Sequence, residues 1–263
     1  MPYAQDFLNF PFLPGSPQET WNTTKFNDQN DIGKWDWSTP ASGNANLGIN
    51  GSAFAGNNGQ SFMAVPSVVG DSNGGILTLN GTNDSQSALQ YDYLQAQRIG
   101  ADIQLNGLNK YNWFMWNLSL ASATVTAAII GCFSTNTNLM GTNIVNGFGF
   151  LINQSASGAP AAGSWQTFVC NGSAVQYTNY GLLASNASDT NAHTFAVQFV
   201  SSGVAGAGTM NFYIDTNAPI QQYTFGGAAS FPTAVLRQSF GVGNTTAAAT
   251  SMNMFWCGSD VQR

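Results

Sequence analysis

Between 193-HTFAVQFVSSGVAGAGTMNFYIDTN-217, Phe195, Val197 and Phe199 alternate with Thr194, Ala196 and Gln198; further on, Met210, Phe212 and Ile214 alternate with Asn211, Tyr213 and Asp215. A period of two sends successive side chains to opposite faces, so the pattern predicts two strands. The residues 201–208 between them carry Gly203, Gly206 and Gly208, which reach positive φ without steric cost, and the pair is expected to form a hairpin with a glycine-rich tip. Short alternating or apolar runs recur at 75–81, 98–105, 111–120, 124–133, 147–153, 164–170, 220–225, 234–243 and 251–261. Nowhere is an i, i+3, i+4, i+7 pattern sustained between capping residues. About ten strands separated by turn-rich segments predict an all-β protein, a two-sheet antiparallel sandwich or a barrel.

The run 111-YNWFMWNLSL-120 carries the most aromatic surface. Phe114, Trp116, Leu118 and Leu120 share one face, and Trp113 and Met115 lie opposite with Tyr111. One face must enter the core. The Trp113 face is either further core or, if open, a stacking platform for sugar rings or a patch for a neighbouring subunit. Tyr177 and Tyr180 are loop tyrosines with the same stacking capacity.

The first fifty residues are different. Pro2, Pro11, Pro14, Pro17 and Pro40 keep the segment extended, and 7-FLNFPFLPG-15 spaces Phe7, Phe10 and Phe12 along it. Residues 1–34 are expected to be an extended N-terminal arm and residues 35–263 the sandwich. The three phenylalanines either cover an edge or end of the same sandwich or dock onto another subunit.

Charge narrows the classes of function. Only 7% of the chain is charged, against about 25% in an average domain, so its surface must be polar through amides and hydroxyls. Six Lys and Arg at a net charge of −6 leave no basic patch, which excludes nucleic acid and anionic membrane surfaces as partners. The longest apolar runs are far too short to span a bilayer. Met1 to Gly15 has no basic leading segment, and Pro11 and Pro14 interrupt its apolar run, so no secretory signal is expected. Cys132, Cys170 and Cys257, odd in number and set among apolar neighbours, fit buried free thiols, with one disulfide as the alternative.

Reactive constellations are sparse. Glu19 is the sole glutamate, and the aspartates, Asp92 and Asp102 among them, are scattered, which argues against the facing carboxylates of a glycosidase. His193 is the sole histidine; it excludes a multi-histidine metal site and reads as a strand-end imidazole before it reads as a base. The glycines of 203-GVAGAG-208 join two strands and open no helix, unlike a phosphate loop. The oxygen-rich 28-DQND-31 and 71-DSNG-74 complete no calcium motif. No enzyme activity, metal or cofactor is expected.

The succession 147-GFGFLIN-153, 164-SWQTFVCNG-172, 193-HTFAVQFVSSG-203, 209-TMNFYIDTN-217, 240-FGVGN-244 and 251-SMNMFWCGSDVQR-263 resembles the strands of concanavalin A-like (laminin G-like) sandwich domains among the structural proteins of tailed-phage virions, over about residues 75–263. The aromatic, acidic start (Asp6, Phe7, Phe12, then Trp21 or Trp35) is similar as well. The resemblance implies a two-sheet jelly roll. It further implies a non-enzymatic virion protein, a capsid decoration or cement protein that binds the major capsid protein or other virion subunits, self-associates, for instance as a trimer, and resides in the virion after synthesis in the host cytoplasm. The alternative expectation is a carbohydrate-binding module or fibre domain that recognises host surface glycans through Trp113, Tyr177 or Tyr180.

Overall fold

The computed structural model describes residues 21–24, 35–38, 61–65, 76–81, 92–98, 103–105, 111–120, 127–134, 146–153, 165–171, 174–179, 190–204, 207–226, 234–244 and 250–261. These form fifteen strands: β1 (Trp21–Thr24), β2 (Trp35–Ser38), β3 (Ser61–Val65), β4 (Ile76–Gly81), β5 (Asp92–Arg98), β6 (Tyr111–Leu120), β7 (Ala127–Ser134), β8 (Asn146–Asn153), β9 (Gln166–Asn171), β10 (Ala174–Asn179), β11 (His193–Ser201), β12 (Ala207–Ile214), β13 (Gln221–Gly226), β14 (Leu236–Asn244) and β15 (Thr250–Val261). Helix is absent among the described residues.

Every pairing is antiparallel. One sheet runs β13-β12-β11-β6-β15-β4-β3, with β1 alongside β15, and the other runs β10-β9-β8-β7-β14-β5-β2. The protein is therefore an all-β, two-sheet antiparallel sandwich. The hairpin read at 193–217 is β11 and β12, in register from Phe195↔Ile214 to Ser201↔Gly208, and Gly203 in its connection has φ 87°. The run at 98–105 differs from expectation: the strand lies earlier, at Asp92–Arg98, and Ile103 makes only an isolated bridge to Leu236. Strands β1, β2, β3 and β10 carry four to six residues each with little alternation to mark them. The first of these falls within the residues read as an arm and pairs with β15 from Trp21↔Asp260 to Thr24↔Cys257. Phe7, Phe10 and Phe12 lie outside the described residues.

Alternation decides what fills the sandwich. Phe114, Trp116 and Leu118 of β6, Phe195, Val197 and Phe199 of β11 and Met210 and Phe212 of β12 face Ile130 and Cys132 of β7, Phe148 and Phe150 of β8 and Phe240 of β14 in one buried cluster. Aromatic rings interlock between the layers: Phe150 meets Phe195 at 5.1 Å and Phe212 at 5.3 Å, both edge-on, and Phe114 meets Phe148 at 5.3 Å. Edge-to-face packing adds to the burial energy of such large side chains. Polar groups bridge the layers as well, among them the hydroxyls of Thr167 on β9 and Tyr223 on β13, 3.0 Å apart. Gln238 of β14, fully buried, donates from Nε2 to the carbonyl oxygens of Met115 at 3.2 Å and Gly258 at 3.1 Å in the facing sheet. The three cysteines are free and buried, in agreement with the thiol reading.

Strand β15 departs from strict alternation. Its register against β6 shifts between Met254 and Trp256, a β-bulge. Met252 and Met254 enter the core before the shift and Cys257 after it. Phe255 and Trp256, adjacent in sequence, both pack with Met115, Ala196 and Tyr213 on the opposite, outer side of the sheet. An inserted residue allows this, because it lets two consecutive side chains share a face.

Candidate functional site

That outer side of the eight-stranded sheet concentrates groups able to hold a ligand. Trp113 and Met115 project from β6, Ala196 and Gln198 from β11, Asn211 and Tyr213 from β12, Gln222 from β13, and Phe255 and Trp256 from β15. The Trp113 face thus combines the two states weighed from sequence: Met115 is buried within it and Trp113 remains partly exposed.

The aromatic pair has a geometric cause. Strands β6 and β12 are separated by β11, so equivalent positions on them stand about 10 Å apart, two inter-strand steps. Yet the rings of Trp113 and Tyr213 approach to a centroid distance of 5.4 Å at an interplanar angle of 35°. They do so by leaning together above β11, where residue 196 is alanine. Ala196 is in register with Met115 on one side and Tyr213 on the other and is 0% exposed. A larger side chain there would part the rings.

Beside the rings runs a row of amides. Trp113, Gln198, Asn211 and Gln222 are consecutive register partners across β6, β11, β12 and β13. Gln222 Nε2 donates to Asn211 Oδ1 at 2.7 Å, and Asn211 Nδ2 donates to Gln198 Oε1 at 3.0 Å. The same Gln198 oxygen accepts from the Tyr213 hydroxyl at 3.1 Å. Gln198 and Asn211 are almost wholly buried, so each unmade hydrogen bond there is costly and the row holds its members in fixed rotamers. Burial raises the Tyr213 phenol above its ordinary pKa, with a hydrogen bond to Asn211 pulling the other way. The ring therefore stays neutral throughout the physiological range.

A second polar cluster lies at the end of the β11–β12 hairpin. Asp215, at φ 50°, accepts from the Thr194 backbone N–H at 2.7 Å and bonds His193 Nδ1 with its other oxygen. Asn117 Nδ2 donates to Thr194 Oγ1 at 2.8 Å. The sole histidine is thus a strand-end imidazole held by a carboxylate, and the arrangement ties the hairpin's open end to β6.

Of the residues singled out for stacking, Trp113 is in this face. Tyr177 belongs to β10, at the edge of the other sheet, so the two are not brought together; Tyr180 lies outside the described residues. No group of three His, Cys, Asp or Glu side chains that could hold a metal occurs among the described residues. Asp92 opens β5 in the second sheet and Asp102 lies outside the described residues. Gln198, Asn211, Tyr213, Gln222, Phe255 and Trp256 went unrecognised in the sequence. Alternation did assign Gln198, Asn211 and Tyr213 to the polar side of their strands, which was the available signal.

Neither a protein-family model nor a curated protein sequence matches the chain. Solved structures do resemble it. A β-1,3-glucanase from Mycobacterium marinum superposes with a TM-score of 0.52 at 12% identity, covering 90% of this chain and 97% of its own. The metal-free carbohydrate recognition domain of Emp46p gives a TM-score of 0.50 at 8% identity, covering 91% and 97%. Peanut lectin gives 0.46 at 11% identity, covering 80% and 94%. The fold is the concanavalin A-like jelly roll of lectins and glucanases, as the strand resemblance implied; none of these structures links the chain to a virion. One expectation is corrected. The absence of enzyme activity was read from the scarcity of carboxylates, but a β-1,3-glucanase has this sandwich over nearly its whole length. The architecture accommodates catalysis as well as adhesion, and the exclusion does not stand.

Proposed function

We propose that the protein binds neutral glycans on the outer face of its eight-stranded sheet. The observation that carries this reading is the Trp113–Tyr213 ring pair set against the hydrogen-bonded amides of Gln198, Asn211 and Gln222. A pyranose has an apolar C–H face and a rim of hydroxyls; the first stacks on an aromatic ring and the second exchanges hydrogen bonds with planar amides. A rigid surface holding both spends little entropy on binding. The fold supports the same reading, since a carbohydrate recognition domain has it. A role on a virion has no corresponding observation in its favour.

Screening of the purified chain against an array of neutral and acidic glycans tests the proposal. Neutral glycans should be retained, and Trp113→Ala should weaken their binding about tenfold, the value of a stacked ring, with an unchanged circular dichroism spectrum. Analysis of the same incubations for new reducing ends reads out turnover. Binding that survives Trp113→Ala in full, or confinement of all binding to charged glycans, would overturn the assignment.

A further inference from the structure

The amide row has a direction, and the direction determines which atoms remain for a ligand. Asn211 uses its oxygen toward Gln222 and its nitrogen toward Gln198, so every amide in the row points the same way. At one end, Gln198 Oε1 is engaged twice, by Asn211 and Tyr213, and among the described residues nothing accepts from its Nε2. At the other end, Gln222 has committed its nitrogen to Asn211 and keeps Oε1 as an acceptor on an exposed side chain. Gln198 is only 6% exposed. A primary amide carries two N–H donors, and with Oε1 engaged twice these are the groups that Gln198 has left for a ligand.

Resting on the glycan-binding reading, we propose that Gln198 Nε2 is the specificity-determining donor of this site and that the ligand is an extended oligosaccharide laid across the strands. One of its hydroxyl or ring oxygens accepts from Gln198 beside Trp113, and a hydroxyl further along donates to Gln222 Oε1. From Trp113 to Gln222 the row crosses three inter-strand steps, about 14 Å, longer than any single sugar ring. A terminal monosaccharide reaches one end only; a chain of a few sugars engages Trp113, the donor and the acceptor together.

Gln198→Glu isolates the donor. The carboxylate keeps acceptor oxygens for Asn211 and Tyr213 and replaces the outward N–H groups with an acceptor; it also adds a negative charge, whose cost to the fold is read separately from the urea midpoint. The probes are neutral linear gluco- and galacto-oligosaccharides of one to six units, titrated by calorimetry against wild type, Gln198→Glu and Trp113→Ala. For wild type, affinity should climb from one unit to about three and then level off, in keeping with the span of the row. Gln198→Glu should lose about tenfold or more on the longer chains. Mono-deoxy derivatives of the tightest oligosaccharide repeat the test on unaltered protein. Removal of the accepting oxygen should weaken wild-type binding by a similar factor and leave Gln198→Glu unaffected, a coupling that mere loss of structure would not produce. If no oligosaccharide binds wild type, the glycan-binding reading itself falls. If binding occurs and depends on Trp113 but Gln198→Glu matches wild type, or a monosaccharide binds as tightly as a hexasaccharide, this inference alone is overturned.

Discussion

Single positions in the second sheet are set by backbone crowding. Gly131 and Gly149 are register partners on β7 and β8. A Cβ on Gly149 would lie 2.1 Å from Ile130 O and 2.6 Å from Gly131 Cα, at a φ of +155°, and neither obstacle is a side chain that can turn aside. The Phe133 ring lies against the places where Gly131 and Gly147 lack a Cβ, 5.6 Å from Phe168 and stacked at 10°. Gly149→Ala should therefore cost about 3 kcal/mol by overpacking, seen as a lower urea midpoint with an unchanged slope. Gly226→Ala is the control. Nothing lies within 4 Å of its added methyl, and its effect should stay within about 0.5 kcal/mol. The alternation in 147-GFGFLIN-153 announced a strand with Phe148 and Phe150 on one face, and both are in the core. It did not announce that Gly147 makes room for Phe133 of the neighbouring strand and Gly149 for that strand's backbone, because the neighbour is fixed only by pairing.

Among the elements, β14 and β15 determine how the layers and the outer face are arranged. Gln238 of β14 links the sheets through two carbonyl oxygens, while no partner for its own Oε1 occurs among the described residues. Gln238→Ala removes both bonds and opens a void in the core, at a cost of about 3 kcal/mol. Gln238→Met fills the void and discards the unmatched oxygen, so only about 1 kcal/mol should be lost; chemical denaturation of the two variants distinguishes the contributions. The face bearing Trp113 shows how far sequence extends at this scale. Period two sorted β6, β11 and β12 into core and opposite faces correctly. The bulge that brings Phe255 and Trp256 to one side is invisible in 251-SMNMFWCGSDV-261, since it depends on the register β15 adopts against β6. The amide row was hidden for a related reason: Gln198, Asn211 and Gln222 lie on the successive strands β11, β12 and β13, but only the register those strands adopt sets the three side by side.

The molecule as a whole relies on buried neutral groups, and this sets its response to alkali. Burial pushes the Cys170 thiol up to about 12, against a weaker pull downward from its bond to the Gly147 carbonyl. Burial also raises Cys132 well above the ordinary value, with the nearby Cys257 adding to the effect. In the unfolded chain a thiol ionises near pH 8.5. The stabilisation from keeping Cys170 protonated in the fold is thus complete below about pH 8.5 and drains away as pH climbs toward about 12. Urea midpoints should fall steadily over that interval, and less steeply in Cys170→Ala. A thiol reagent at neutral pH should label none of the three cysteines until denaturant is added.

The strand that comes last among the described elements, β15, does not lie at a border of its sheet: β6 flanks it on one side, β4 and β1 on the other. In the second layer, β14 likewise sits between β7 and β5. A nascent polypeptide emerging from the ribosome cannot join either half of its sheets until residues 236–261 have left the exit tunnel. Its early strands must wait with open edges until those residues emerge, and the cell has to guard them from neighbouring chains for that interval.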